Sequence, residues 1–123
     1  SVLALTVITS LSDAELPAIG LAPSVRQQVE RLAALAAQAK CHGVVASANE
    51  AEYLRRTLPR EMLIVTPGIQ LEGDATNDQS RVATPAFARQ AGATHIVVGR
   101  SISRSANPVD AFRRAVEGMT TPR

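Results

Sequence analysis

Gly99 and Arg100 close an apolar run from Thr94 to Val98, and as residue types they suit an anion. Glycine lets a backbone come close to a ligand, and arginine offers a planar, permanently charged fork for phosphate oxygens. A second group follows Met62-Leu63-Ile64-Val65, where Thr66-Pro67-Gly68 breaks the run. Beyond it, residues 70–82 are polar and have no period. A stretch of about a dozen residues exceeds the usual connection of about two to six, which marks a functional loop. Taken singly, each piece has a plain alternative: Thr, Ser and Gly also terminate strands, and an arginine also sits on a solvated rim.

Other reactive side chains are few. Lys40 is the only lysine, so any chemistry that needs one has a single candidate. His42 precedes the second apolar run and His95 lies inside the fourth, positions that favour structural roles. Cys41 has no paired His-Asp context and reads as inert; being alone, it forms no internal disulfide and suits a reducing compartment.

The elements that must position these residues follow from the pattern. Val2 to Thr9 reads as a strand buried on both faces. Asp13 to Gly20 is a broken acidic turn. Ser24 and Gln27 have capping-box spacing, and Val25, Val29, Leu32, Ala33, Ala36 and Ala39 share a helical face that Gly43 would stop. Val44-Val45-Ala46 is a second strand, and Ser47 with Glu50 opens a helix through Tyr53, Leu54 and Leu58 that Pro59 ends. The Met62 run is a third strand, Thr84-Pro85 starts a helix that Gly92 ends, and the Thr94 run is a fourth strand. Asn107-Pro108 opens the last helix, with Val109, Phe112, Arg113 and Val116 at helical spacing and Gly118 before a polar tail.

Four βα repeats with apolar, β-branched strands predict an α/β chain with a parallel sheet and right-handed crossovers. The 123 residues suffice for one domain, 1–123, burying roughly 65% of its unfolded surface. They are also close to half of the ~250 residues of a TIM (β/α)8 barrel. Special residues at the C-terminal end of each strand (Thr9 and Ser10, Ser47, Thr66-Pro67-Gly68, Gly99-Arg100) favour the half-barrel, because barrels build their sites there. Four strands alone would leave two edges unpaired, which invites another chain.

Composition narrows the function classes. A formal charge of +2 comes from scattered basic residues, and at 2% aromatic the chain offers little for base stacking, so no nucleic-acid partner is expected. No apolar run approaches the ~20 residues that span a bilayer, and Ser1-Val2-Leu3-Ala4 lacks the basic flank of a signal peptide, so no membrane partner and a cytoplasmic location are expected.

Taken in order, several segments carry a resemblance: Leu5-Thr6-Val7-Ile8-Thr9-Ser10; Gly43 to Ala48; Val65-Thr66-Pro67-Gly68-Ile69 with Gly73, Asp78-Gln79 and Arg81; and Val97-Val98-Gly99-Arg100. The chain resembles the C-terminal half, strands five to eight, of bacterial orotidine 5'-phosphate decarboxylases. The resemblance implies conversion of orotidine 5'-monophosphate to uridine 5'-monophosphate (UMP) and carbon dioxide, in pyrimidine biosynthesis, without metal or organic cofactor. It assigns Gly99 and Arg100 to the phosphate and Gln79 to a loop contact closing over it. Thr9 would lie beside base and ribose, Ser12 at the base edge and Pro67 in an apolar wall.

Two departures shape the expectation. Position 70, usually arginine in bacterial members, is Gln70, which can hydrogen-bond but brings no charge; it stays a substrate-binding candidate. The family's Asp-x-Lys-x-x-Asp array is absent, and Lys40 falls on the wrong side of the second strand. No catalytic residue is therefore expected in this sequence, which would be inactive alone, with a nucleotide monophosphate as ligand and a missing N-terminal half-barrel as partner. The alternative is a non-catalytic half-barrel that dimerises with a second copy and binds a phosphorylated ligand. A related sugar-phosphate decarboxylase fits the Asp78-Gln79 loop less well.

Overall fold

A computed structural model describes residues 1–21, 24–74 and 83–120. Its sheet is parallel, in the order β1-β2-β3-β4, formed by β1 (Leu3–Leu5), β2 (Gly43–Val45), β3 (Leu63–Thr66) and β4 (His95–Ile96). Each strand lies beside its sequence neighbour, as consecutive strands of a barrel do. The helices are α1 (Val25–Gln38), α2 (Ala48–Thr57), α3 (Pro85–Ala91), a single turn α4 (Arg100–Ser103) and α5 (Pro108–Thr120), with a 3-10 turn at Leu16–Ile19.

Register sorts the strand residues into two faces. Ala4, Val44 and Ile64 pair across three strands and so point the same way. This is the helix side: Val44 and Ile64 are fully buried with Val29 and Ala33 of α1 and Leu54 of α2. The other face carries Leu3, Leu5, Val45, Leu63 and Val65, with Leu3 at 40% and Leu5 at 57% exposure. The first strand is therefore shorter than Val2 to Thr9 and is not buried on both faces. Nothing among the described residues covers its second side.

The final helix departs in the same way. Its buried residues are Ala111 and Ala115, whereas Val109, Phe112 and Val116 are exposed. The apolar stripe read from the sequence exists but faces outward. The helix also continues through Gly118, because a flat glycine lets α5 press on Pro85 of α3.

Caps explain most boundaries. The Ser24 hydroxyl accepts from the Gln27 N–H, and the Asp13 carboxylate accepts from the Val25 N–H at 2.7 Å, so two side chains cap α1. Thr84 caps α3 by accepting from the Phe87 N–H, and Gly92 ends it at φ 108°. Ser47 precedes α2 without a side-chain cap, contrary to its spacing with Glu50.

Gly43 does not stop α1. Lys40 does, at φ 58°, with Lys40 N–H donating to the Ala37 carbonyl and Cys41 N–H to the Ala36 carbonyl. This is a Schellman closure with lysine where glycine is usual. Gly43 serves β2 instead, since a Cβ there would stand 2.6 Å from the Leu63 Cβ.

Candidate functional site

The C-terminal ends of β3 and β4 open onto a cleft of about 560 Å³. One wall is Pro67 to Leu71. The other is Val97, Gly99, Arg100, Ser101 and Arg104, and Ala111 and Arg114 of α5 close the side.

Local structure fixes both walls. Gly68 turns the chain out of β3 at φ 72°, and the Ala83 N–H donates to the Gly68 carbonyl at 3.0 Å. The Gln70 N–H donates to the Ala83 carbonyl at 2.9 Å, so both stems of the loop are tied together. Leu71 is buried against Ala111 and Ala115, and its N–H donates to the Ser101 hydroxyl at 3.2 Å. This joins the two walls. Arg114 adds a strap, its guanidinium donating to the Glu72 carbonyl at 3.3 Å.

Beside Gly99 the space is open: a Cβ built there would meet no atom within 4 Å. Arg100 is half-buried next to it, while Arg104 and Arg114 are exposed. Three arginines and one carboxylate, Asp74, are among the described lining residues, so the described lining carries a net positive charge. Such a wall attracts anions, and guanidinium groups match phosphate or carboxylate oxygens two at a time.

The cleft unites Pro67, Gln70, Gly99 and Arg100 of the residues singled out in the sequence. Thr9 and Ser12 follow β1, at the other edge of the sheet, and do not line it. Thr9 is buried. Ser12 donates through both its N–H and its hydroxyl to the Glu15 carboxylate, at 2.7 and 2.8 Å, leaving the hydroxyl oxygen to accept. These bonds hold the Glu15 pKa below its ordinary value, the side-chain bond being the larger cause. Gln79 lies outside the described residues, as do Asp78 and Arg81.

Arg104, Ser101 and Arg114 were missed in the sequence. Arg104 carried a signal, its i+4 spacing from Arg100; Ser101 and Arg114 carried none, because each depends on how α4, α5 and the loop pack. Lys40 lies before β2, at the end of the sheet remote from the cleft. His42 is structural there, its Nδ1 accepting from the Val2 N–H at 2.8 Å. Among the described residues no cluster of His, Cys, Asp and Glu could hold a metal ion, and no helix is long and apolar enough to cross a membrane.

Residues 1–115 match the model of the orotidine 5'-phosphate decarboxylase / HUMPS family. The chain belongs to that family. Among similar proteins, the orotidine 5'-phosphate decarboxylase of Hahella chejuensis is 46% identical over 94% of this chain and 49% of its own length. That of Neisseria gonorrhoeae is 48% identical over 88% and 44%. The crystal structure of the Lactobacillus acidophilus orotidine 5'-phosphate decarboxylase superposes with a TM-score of 0.79 at 31% identity, over 97% of this chain and 49% of that one. The chain thus spans about half the length of the orotidine 5'-phosphate decarboxylases it matches, and its four βα units correspond to half of their (β/α)8 barrel.

Proposed function

We propose that this chain is the phosphate-binding half of an orotidine 5'-phosphate decarboxylase, the enzyme that converts orotidine 5'-monophosphate to UMP and carbon dioxide. The observation that carries this reading is the convergence of Gly99, Arg100, Pro67 and Gln70 on one positive cleft at the C-terminal ends of β3 and β4. Arg100 holds the phosphate with its guanidinium, and Gly99 leaves room for the oxygens beside the backbone. Gln70 donates an amide N–H, and Pro67 gives the base an apolar wall. Gln79 reaches over the ligand, while Thr9 and Ser12 take the base and ribose side. The catalytic lysine comes from outside this sequence, so this chain binds nucleotide without turning it over.

Titrating the chain with UMP and with uridine tests the reading. UMP should bind and uridine only far more weakly, and Arg100→Ala should weaken UMP at least tenfold, as loss of a charge-assisted contact implies. Equal affinity for the two ligands, or an unaffected Arg100→Ala, would overturn it. Adding the N-terminal half should bring decarboxylation. Turnover by the chain alone would overturn the statement that the lysine lies elsewhere.

A second reading has its own observation. Leu3 and Leu5 of β1, on the sheet's second face, and the outward stripe Val109, Phe112 and Val116 of α5 are exposed. A chain with two open sheet edges and these surfaces pairs with a complementary half-barrel or with a second copy, β4 of one lying beside β1 of the other. In the self-associated form it is a non-catalytic module for a phosphorylated ligand. Sedimentation at micromolar concentration should find dimers; a well-folded monomer would remove this reading.

A further inference from the structure

A phosphate monoester carries between one and two negative charges near neutral pH, because its second ionisation lies near pH 6. The Pro67 to Leu71 wall offers no cation to balance the second charge, since Gln70 brings only an amide. Among the described residues the balance falls to the other lining groups. Arg114, on the side closed by α5, is tied to the loop stem through one N–H to the Glu72 carbonyl.

Arg104 has no such commitment. Its backbone N–H donates to the Arg100 carbonyl at 2.9 Å, which sets it one helical turn beyond Arg100 and on the same wall. Arg104 takes no part in the ion pairs Arg26–Glu30 and Arg56–Glu52.

We infer that Arg104 is the second cation of the phosphate subsite. With Arg100 it grips the phosphate from the α4 side and supplies the charge that Gln70 lacks. The inference rests on the phosphate reading of the cleft and extends it to a residue outside the Gly99-Arg100 motif. Arg104 also makes the site selective for the dianion over the monoanion, because the second charge is what it adds to the grip.

NMR titration of the isotope-labelled chain with UMP, and with uridine as the phosphate-free probe, tests this. Arg104→Ala should weaken UMP about tenfold or more, as a lost charge-assisted contact implies, and leave uridine unchanged. It should also flatten the tightening of UMP binding as pH rises through about 6, the second phosphate ionisation. Arg104→Lys should recover part of the loss, and adding Gln70→Arg to Arg104→Ala should restore most of it by returning the charge from the other wall. Unchanged UMP affinity in Arg104→Ala, while Arg100→Ala loses it, would overturn the inference and leave the phosphate reading standing. Failure of Gln70→Arg to rescue would also overturn the inference. Equal binding of UMP and uridine by the unaltered chain would overturn both.

Discussion

A Cβ on Gly118 would stand 2.7 Å from the Cβ of Pro85, so α5 and α3 meet at a distance only glycine allows. Alanine in a helix interior normally gains about 1 kcal/mol over glycine. Here the contact reverses the sign, because overpacking typically costs about 1–3 kcal/mol. Gly118→Ala should therefore lower the denaturant midpoint without changing the slope of the transition.

Lys40→Gly should do the opposite. Lysine at φ 58° bears the left-handed penalty of about 1–2 kcal/mol, partly offset by the greater freedom of glycine in the unfolded chain. A net gain of about 0.5–1 kcal/mol in chemical denaturation is expected. Nucleotide affinity should stay as it was, since Lys40 lies at the far end of the sheet from the cleft. A loss of UMP binding in this variant would contradict that placement.

Asp13→Ala should cost about 1 kcal/mol, the usual value of a helix cap, by releasing the Val25 N–H. Ser24 continues to hold the Gln27 N–H, so α1 should shorten at its first turn rather than melt. Circular dichroism against denaturant reads both effects.

The Ser12–Glu15 pair gives a pH dependence of known sign. The folded pKa of Glu15 is lowered, so the unfolded chain binds its proton more readily. The stabilisation is complete above the ordinary carboxylate range and is lost as pH falls through the lowered value. Ser12→Ala should reduce the melting temperature at neutral pH and leave it nearly unchanged at strongly acidic pH. Because Glu15 is fully solvent-exposed, the shift will be small.

The order of elements was legible where a boundary carried its own chemistry: Ser24, Thr84 and Gly92 act as their types predict. Lys40 was not legible as a helix stop, since nothing in its type announces a left-handed conformation. Neither was the outward turn of Val109, Phe112 and Val116. Periodicity reports which residues share a face but not whether anything lies against it. In the cleft, Gly99 and Arg100 were readable from type and position. Arg114 was not, because its bond to the Glu72 carbonyl spans 42 residues and exists only after α5 has docked.

The exposed leucines of β1 have a thermal consequence. Association through Leu3, Leu5 and their neighbours removes apolar surface from water, so its heat-capacity change is negative and its strength fades on cooling. An assembly closed through that face holds best in warmth and loosens toward the ice point. Its apparent melting temperature also rises with protein concentration, as mass action requires.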